Sequence, residues 1–379
     1  MKKLIFSKFF KNTSNSFIAA IITLTLIVWV IQAVNFLDFV TEDGHGLEIY
    51  FKYTFLNLPK IISKIMPLIF FTSFYYILTQ YEDNNELKIF WINGVDKRVF
   101  LQNVLQYSIL FLFIQLILSS LLVPASQNKA RTFIQNSNIE FFPSLINEKK
   151  FIDTVENLTI YIEKKNNSNE YENIYLKDVD QGRKIKIITA KKGKLINDKN
   201  ERSLYLFEGK IINFNGKEIT TFNFSQTVFD LSKYLTKSIV DFKIQEKNTF
   251  DLLDCNINYH LLKKEEYYDV NNCNDASEVM TKEELFKRIF KPLYVVVLGI
   301  TSCFLLLVSK ENNNYKFYRF TIFIYGFIIL VISEMSASLS GKSNYQFIFS
   351  VALPMFILFI QYIYLVNKFR SPIANDKKL

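Results

Sequence analysis

The sequence has few of the residues that build catalytic and metal centres. Its 379 residues include 2 His, 3 Cys, 10 Gly and 7 Pro. His45 and His260 lie far apart, and neither has a Cys or carboxylate neighbour at metal-ligand spacing. The nucleophile motif G-x-S-x-G is also missing. These shortages argue against a metal centre and a hydrolase, and the low cysteine content excludes a disulfide-dense secreted module.

Apolar residues are plentiful and unevenly distributed. They make up 50% of the chain, which contains 38 Phe and 21 Tyr. Long uncharged runs lie near both ends, and a charged, Asn-rich segment separates them. This distribution excludes a purely soluble protein and a disordered chain. A net charge of +9 does not by itself indicate nucleic-acid binding, which needs a localised basic patch, so we predict no nucleic-acid binding.

Six stretches reach the length of about 20 apolar residues that a membrane-spanning helix needs. They are Ser16–Leu37, Leu58–Gln80, Val99–Val123, Pro292–Ser309, Phe320–Leu339 and Tyr345–Val366. The fifth contains one carboxylate, Glu334. Intramembrane carboxylates are often functional, so Glu334 is a candidate site; the alternative is a hydrated position at the membrane interface.

The short loops between these spans differ in charge. Lys and Arg are frequent at both termini and in the loops after the second and fourth spans, whereas the first loop is acidic. Positive residues favour the cytoplasmic side. We therefore predict cytoplasmic termini and an extracytoplasmic middle segment. Phe residues between lysines before the first span suit an interfacial amphipathic helix or, equally, a short basic anchor.

The middle segment has the alternating apolar pattern of short β-strands. The clearest examples are Thr159–Ile162, Lys184–Ala190, Ser203–Asn213 and Glu218–Leu231. Five or more such strands predict an inserted sandwich or jelly roll, with domains at 1–123, 124–288 and 289–379. Cys255 and Cys273 would lie on the oxidising side, where they could form a disulfide or remain two free thiols.

The loop after the second span contains a short helical pattern. An Asn can cap it, and a Gly can end it. The apolar residues Leu87, Phe90 and Trp91 share one face at i, i+3 and i+4. Such a helix could insert an exposed aromatic face into an ATPase groove, or it could lie on the membrane surface. The residues of this candidate coupling segment are Asp83, Glu86, Leu87, Phe90, Trp91 and Gly94.

The whole pattern resembles the lipopolysaccharide-export permease family, LptF and LptG. Three spans, a β domain and three spans occur in that order, and Glu86–Gly94 is similar to the E-L-x-x-x-x-x-x-G motif of the family. Gln32–Asp38 resembles the F-type pattern Q-x-x-[RK]-x-[LV]-D. Asn35 departs from it, since a basic residue is usual there, so a phosphate contact is lost or supplied elsewhere. F-type is the better resemblance.

The resemblance implies an ABC transporter in the bacterial inner membrane. Its expected partners are an LptG-like second permease, an LptB-like ATPase dimer and an LptC-like periplasmic bridge protein, with lipopolysaccharide and membrane lipid as ligands. ATP and Mg would bind to the ATPase, so this chain would hold no cofactor and catalyse nothing. Lipid phosphates require cations. The candidates are Lys52, Lys60, Lys64, Lys129 and Arg131, with ordinary interfacial anchoring as the alternative.

Two other functional classes remain open from the sequence. An ion-coupled secondary transporter usually has inverted repeats and midplane charges, and here only Glu334 offers an intramembrane charge. A membrane-anchored periplasmic binding protein would need a single span, so six spans argue against it.

Overall fold

The computed structural model describes residues 2–37, 47–133, 148–155, 158–166, 170–179, 185–197, 202–215, 218–230, 243–257 and 275–370. The chain divides into two compact units. The helical unit comprises Met1–Ile31, Leu56–Asn128 and Lys243–Leu379, and the β unit comprises Gln32–Phe55 and Lys129–Phe242. The chain after residue 242 thus belongs with the helices, which differs from the expected boundary at 288.

Ten α-helices are numbered here along the described residues. They are α1 (Lys2–Asn35), α2 (Leu47–Leu56), α3 (Leu58–Asp83), α4 (Glu86–Ile92), α5 (Lys97–Ile117), α6 (Thr249–Asp254), α7 (Asp275–Leu285), α8 (Leu293–Ser302), α9 (Tyr315–Leu339) and α10 (Asn344–Arg370). A π-helical turn, Leu118–Leu122, continues α5, and a second one, Phe286–Phe290, follows α7. A 3-10 turn, Cys303–Leu307, extends α8.

The expectation of a membrane-spanning helical bundle is confirmed. Among the described residues, five helices are long and apolar enough to cross a membrane: Lys3–Asn35, Leu47–Asp83, Lys97–Phe133, Tyr315–Leu339 and Asn344–Arg370. A sixth span arises if the pair Glu278–Phe290 and Leu293–Leu307, bent by 47°, is taken as one. Helices suit these segments because every backbone polar group is then paired within the segment.

The shortest predicted span, α8, is the central helix of the bundle. Every residue from Tyr294 to Ser302 is buried, and α8 packs against α3, α5, α9 and α10. Gly299 permits the close approach of α5, since a Cβ there would lie 2.1 Å from Ser108 Oγ. Gln361 of α10 donates a 3.0 Å hydrogen bond to Thr301 Oγ1. Small residues and interhelical hydrogen bonds are typical of packing within membranes.

The inserted β domain is also confirmed. Its strands are β1 (Phe151–Val155), β2 (Leu158–Asn166), β3 (Glu170–Val179), β4 (Ile185–Asn197), β5 (Arg202–Asn215) and β6 (Glu218–Asp230). They form one antiparallel sheet in the order β1-β2-β3-β4-β5-β6. Alternate apolar residues of β2 to β6 form one buried cluster, as the period-two pattern predicts.

The topology of the described strands is simpler than a jelly roll. A jelly roll joins two sheets through Greek-key connections, whereas each described strand pairs with its neighbour in sequence. The physical reason is the length of the connections, which are two to five residues. Connections this short favour antiparallel pairing of consecutive strands.

Candidate functional site

The predicted short helix after the second span is present as α4. A residue with a left-handed backbone conformation lies at each end of it. Asn85 precedes α4 with φ 61°, and Gly94 follows it with φ 68°. The Asn85 side chain makes no capping hydrogen bond. Its contribution is conformational, because asparagine tolerates the left-handed region better than most residues with side chains. The two turns set α4 off from α3 and α5 as a separate element.

The aromatic face of α4 points into the protein, which corrects the expectation that this face is exposed. Leu87 and Phe90 are buried. The Phe90 ring lies 5.3 Å from Phe6 and 5.4 Å from Phe100, measured between centroids. Phe9 contacts Phe90 as well. Edge-on aromatic contacts of this kind stabilise a core beyond the area they bury.

The same contacts replace the expectation of an interfacial N-terminal helix. Residues 2–35 form one unbroken helix, α1, which includes all but the last two residues of the predicted first span. Phe6 and Phe9 are buried in the protein core. The physical reason is that α4 and α5 provide an aromatic surface for these rings. A packing surface some 80 residues away cannot be recognised from the local sequence pattern.

The outward face of α4 is apolar at two positions. Ile89 is 48% exposed and Ile92 is 84% exposed, and Lys88 is also exposed. Glu86, a predicted coupling residue, is half-buried and lies 3.6 Å from Lys8 Nζ. Trp91 is half-buried, with Lys97 Nζ 5.8 Å from its ring centroid. The exposed surface of α4 is therefore formed by residues other than Leu87, Phe90 and Trp91.

Asp83, the remaining predicted coupling residue, ends α3 and forms an ion pair. Its Oδ2 atom lies 3.0 Å from Arg319 Nη1 at the beginning of α9. Tyr75 of α3 donates a 2.8 Å hydrogen bond to the Arg319 carbonyl oxygen. The structure thus joins the segment before α4 to the first turn of α9.

A buried arginine organises the opposite end of the helical bundle. Arg288 is 2% exposed and lies in the π-helical turn before α8. Its Nε atom donates to Glu284 Oε1 at 2.9 Å. Its Nη1 and Nη2 atoms donate to the carbonyl oxygens of Lys247 and Gln245 at 2.9 and 3.0 Å. The strap, defined here as Lys243–Asp254, is therefore bound directly to the bent span.

The two π-helical turns meet at this point. Ser119 Oγ, in the turn that follows α5, donates a 2.7 Å hydrogen bond to the Arg288 carbonyl oxygen. Thr249 Oγ1 of the strap donates to the Ser120 carbonyl oxygen at 2.5 Å. π-helical turns are frequent at functional sites, and here they free carbonyl groups to bind across helices.

The phosphate-contact candidates of the helical unit are Lys60 and Lys64. Lys60 is half-buried, and its Nζ atom donates a 3.1 Å hydrogen bond to Gln245 Oε1 of the strap. Lys64, one helical turn further, is exposed. Lys60 thus helps to hold the strap, and Lys64 presents its charge to the surroundings.

The other three candidates belong to the β unit. Lys52 forms an ion pair with Glu48 at 2.5 Å and lies 5.4 Å from the ring centroid of Phe133. Lys129 is exposed, whereas Arg131 is buried. A buried guanidinium cannot clamp a lipid phosphate without rearrangement, so Lys129 is the more accessible of the two.

Glu334, the predicted intramembrane carboxylate, is exposed and forms an ion pair. Its side chain is 58% exposed, and Oε1 lies 2.6 Å from Lys291 Nζ. Lys291 lies at the break between the π-helical turn and α8. The pair therefore joins the last two turns of α9 to the residues just before α8.

The predicted disulfide remains a prediction. Cys255 is buried directly after α6, while Cys273 lies outside the described residues. His45 and His260 also lie outside them. Cys303 is a free, buried thiol in the turn that extends α8.

The β unit contains an open cavity on one face of its sheet. The cavity has a volume of about 620 Å³, and Tyr161, Tyr175 and Phe224 are among its lining residues. Two strand residues beside it, Asn173 and Glu208, have φ values of 50° and 52°. Residues with side chains are uncommon at positive φ, so the sheet is locally distorted along this cavity.

Comparison with known families decides the relationship of the chain. Residues 8–368 match the sequence model of the family described as lipopolysaccharide export system permease LptF/LptG. This chain belongs to the LptF/LptG permease family. The match covers nearly the whole chain and confirms the resemblance seen in the span order and the Glu86–Gly94 motif. It refers to F and G jointly, so the F-type assignment stays a prediction.

A curated relative of this LptF/LptG-family chain comes from Rickettsia prowazekii (strain Madrid E), where it is called Uncharacterized protein RP871. The two are 24% identical over 193 residues, which is 51% of this chain. The alignment spans about half (53%) of the length of that relative. Proteins of the LptF/LptG family are multi-pass membrane permeases and are generally non-catalytic.

Sequence reasoning missed two features of this LptF/LptG-family chain. The first is Arg288, whose central role was signalled only by Glu284 one turn earlier, at the i, i+4 spacing of a helical ion pair. The second is the outward pair Ile89 and Ile92 on α4. The i, i+3, i+4 pattern indicated only the face of Leu87, Phe90 and Trp91, and gave no signal for the exposed pair.

Proposed function

We propose that this chain is one permease subunit of an ABC transporter that extracts lipopolysaccharide from the bacterial inner membrane. Its β domain would pass the lipid to an LptC-like periplasmic bridge protein. The observation that carries the proposal is the family match over residues 8–368. The inserted antiparallel sheet and the bundle of five or six spans agree with this assignment.

The proposed orientation has both termini and α4 in the cytoplasm. Several cations contact α4 or the residues next to it: Lys8 lies beside Glu86, Lys97 beside Trp91, and Arg319 beside Asp83. Positive residues accumulate on the cytoplasmic side of membrane proteins. The strap and the β domain would then lie on the periplasmic side.

Energy would come from an LptB-like ATPase dimer that binds ATP and Mg. The docking element on this chain would be α4, through its exposed residues Ile89 and Ile92. Exposed aliphatic side chains on a short rigid helix suit insertion into a hydrophobic groove. The buried residues Leu87 and Phe90 would hold α4 on the bundle, so that movement of the ATPase moves the membrane helices.

A second, LptG-like permease would cover the apolar faces of α1 and α9. Much of α1 is exposed, including Ile18, Ile22 and Leu26. A groove of about 590 Å³ runs along α9 and is lined by Phe320, Phe327 and other apolar residues. Long apolar faces on two helices suit a second membrane subunit with lipid between them.

Lipopolysaccharide carries phosphates, for which Lys64 and Lys129 are the exposed cationic contacts among the predicted set. The bridge protein would add a strand to an edge of the sheet, where β1 and β6 are the outer strands of the described part. Strand addition satisfies the unpaired backbone groups of an edge.

The experiment begins with co-purification of the chain with an LptB-like ATPase and a second permease. Ile92→Asp should lower the recovered ATPase by about tenfold, because a charge at the centre of an apolar contact removes a main binding residue. Phe250→Asp is the matched control, since Phe250 is an exposed apolar residue at the strap end. Equal ATPase recovery with both variants would contradict docking through α4.

The substrate is tested with the reconstituted wild-type complex in liposomes that contain lipopolysaccharide. ATP-dependent release of lipopolysaccharide to a soluble acceptor is the expected result. Ion transport by the chain alone, without release of lipid, would favour the ion-coupled alternative and overturn the proposal.

A further inference from the structure

The residues that end α3 and begin α4 are bound by polar contacts to the chain that leads into α9. Asp83 Oδ2 lies 3.0 Å from Arg319 Nη1. Lys88 Nζ of α4 lies 2.7 Å from Glu311 Oε1. The paired residues are more than 220 positions apart in sequence, so the contacts join elements that are distant along the chain.

The backbone takes part in the same link. Lys310 donates its backbone N–H to Glu82 Oε1 at 2.9 Å, and its Nζ atom donates to the Asp83 carbonyl oxygen at 2.9 Å. Hydrogen bonds to charged groups are shorter and stronger than neutral ones. The hydrogen bond from Lys88 lowers the pKa of the Glu311 carboxyl, which favours the ionised form of that carboxyl.

These polar contacts join α4, the proposed docking helix, to α9, which carries an apolar groove. On one side is α4, whose outward residues Ile89 and Ile92 are exposed. On the other side is the first turn of α9, the helix that carries the apolar groove of about 590 Å³. Further along, α9 is packed tightly on α3, since a Cβ at Gly326 would lie 2.0 Å from the Phe71 ring.

The packing at Gly326 limits how α9 can respond. A helix held closely near its middle and pulled at one end tilts about the close contact more easily than it slides, because interior packing leaves little room for translation. Displacement of the Arg319 end would then move the apolar surface from Phe320 to Met335, which lies on α9 itself, relative to the rest of the bundle.

We propose that the Asp83–Arg319 and Lys88–Glu311 ion pairs are positioning contacts that transmit movement of α4 to α9. This inference rests on the proposed function, since it requires an ATPase that moves α4. An isolated exposed ion pair contributes little. The four contacts described above act together between the same two segments, so the link can carry a displacement that a single pair cannot.

The test is a charge-reversal cycle in the full complex, with Asp83→Arg, Arg319→Asp and the double variant. Three quantities are measured: ATPase co-purification, the ATP hydrolysis rate, and lipopolysaccharide released per ATP hydrolysed. Each single variant should keep the ATPase bound and lower the lipid released per ATP by about two- to fivefold. The double variant should recover most of the wild-type ratio. A role in folding alone would not change this ratio.

Neutral variants guard against misfolding of the charge reversals. Asp83→Asn keeps the side-chain shape, and Arg319→Gln removes the charge but keeps a polar side chain; both should lower the ratio in the same direction. The matched control is Lys287→Glu with Glu283→Lys, because that ion pair of 2.6 Å lies within one helical segment and should leave the ratio unchanged.

Two results distinguish a failure of the proposed function from a failure of the ion-pair proposal. If the wild-type complex binds no ATPase or releases no lipid, the proposed function itself fails. If wild type releases lipid and the single variants at Asp83 and Arg319 keep the wild-type ratio, the transmission contacts are wrong and the permease assignment stands. A double variant no better than the singles would also overturn the pairing.

Discussion

At the scale of single residues, Arg288 is the most demanding position in the helical unit. Its guanidinium is buried and binds Glu284, two strap carbonyl oxygens and Thr249 Oγ1. A buried charge is tolerated when its partners satisfy every donor. Removing it leaves Glu284 and the strap carbonyls without the guanidinium that they bind.

We therefore expect Arg288→Ala to lower the free energy of unfolding by about 3–5 kcal/mol. The measurement is the melting temperature of the purified chain in detergent. Lys287→Ala is the adjacent control, with a half-exposed side chain and an expected change within about 0.5 kcal/mol. Equal melting temperatures of the two variants would contradict the role of Arg288 in holding the strap.

The residue pattern predicted which side chains of α4 share a face, but it did not predict which residues pack against that face. The i, i+3, i+4 spacing correctly grouped Leu87, Phe90 and Trp91, and the structure shows that Phe6 and Phe9 contact Phe90. Apolar periodicity indicates that one face of a helix is buried against another surface. The periodicity does not indicate whether that surface belongs to the same chain, to a partner or to lipid, because this depends on contacts between residues distant in sequence.

At the scale of elements, β3 contains a position where strand propensity is misleading. Asn173 has φ 50°, and its Nδ2 atom donates to Glu163 on the neighbouring strand at 2.5 Å. Valine is favoured in strands, yet a β-branched residue at positive φ is strongly strained. We expect Asn173→Val to destabilise the sheet locally by about 1–2 kcal/mol.

Hydrogen exchange of the β3 amides measures this effect. Protection should fall by about 5–30-fold with Asn173→Val. Lys177→Val, at a position of the same strand with ordinary φ, should leave protection unchanged or raise it. If the two valine variants exchange at the same rate, the backbone conformation at Asn173 is not the deciding factor.

The strands themselves were predictable, whereas their arrangement was not. Alternation of apolar residues located β2, β4, β5 and β6 because one face of each strand is buried. The same alternation occurs in a sandwich, a jelly roll and a meander. Pairing of consecutive strands is decided by backbone hydrogen bonds between segments, which side-chain patterns do not record.

At the scale of the whole molecule, the exposed apolar faces of α1 and α9 separate two kinds of surroundings, lipid and a second permease. A photoreactive residue at Ile22 or Val331, both more than half exposed, should form adducts with the second permease in the complex. The same residue at Val297, which is buried, should form none. The measurement is the mass of the adducts after irradiation.

Adducts with phospholipid alone at both exposed positions would show that these faces are lipid-facing and would contradict the proposed subunit contact. Adducts at Val297 would show that α8 is not the central helix. Lipopolysaccharide adducts at Val331 together with permease adducts would support a lipid path along the α9 groove.

The sequence by itself determined the membrane spans, the inserted β domain and the family. These follow from the local cost of placing polar backbone and charges in lipid, and from period-two burial in strands. Only the tertiary structure decided that α1 covers the aromatic face of α4, that Arg288 binds the strap, and that Asp83 pairs with Arg319. Each of these contacts joins segments tens to hundreds of residues apart, and such contacts depend on how the helices pack as a group.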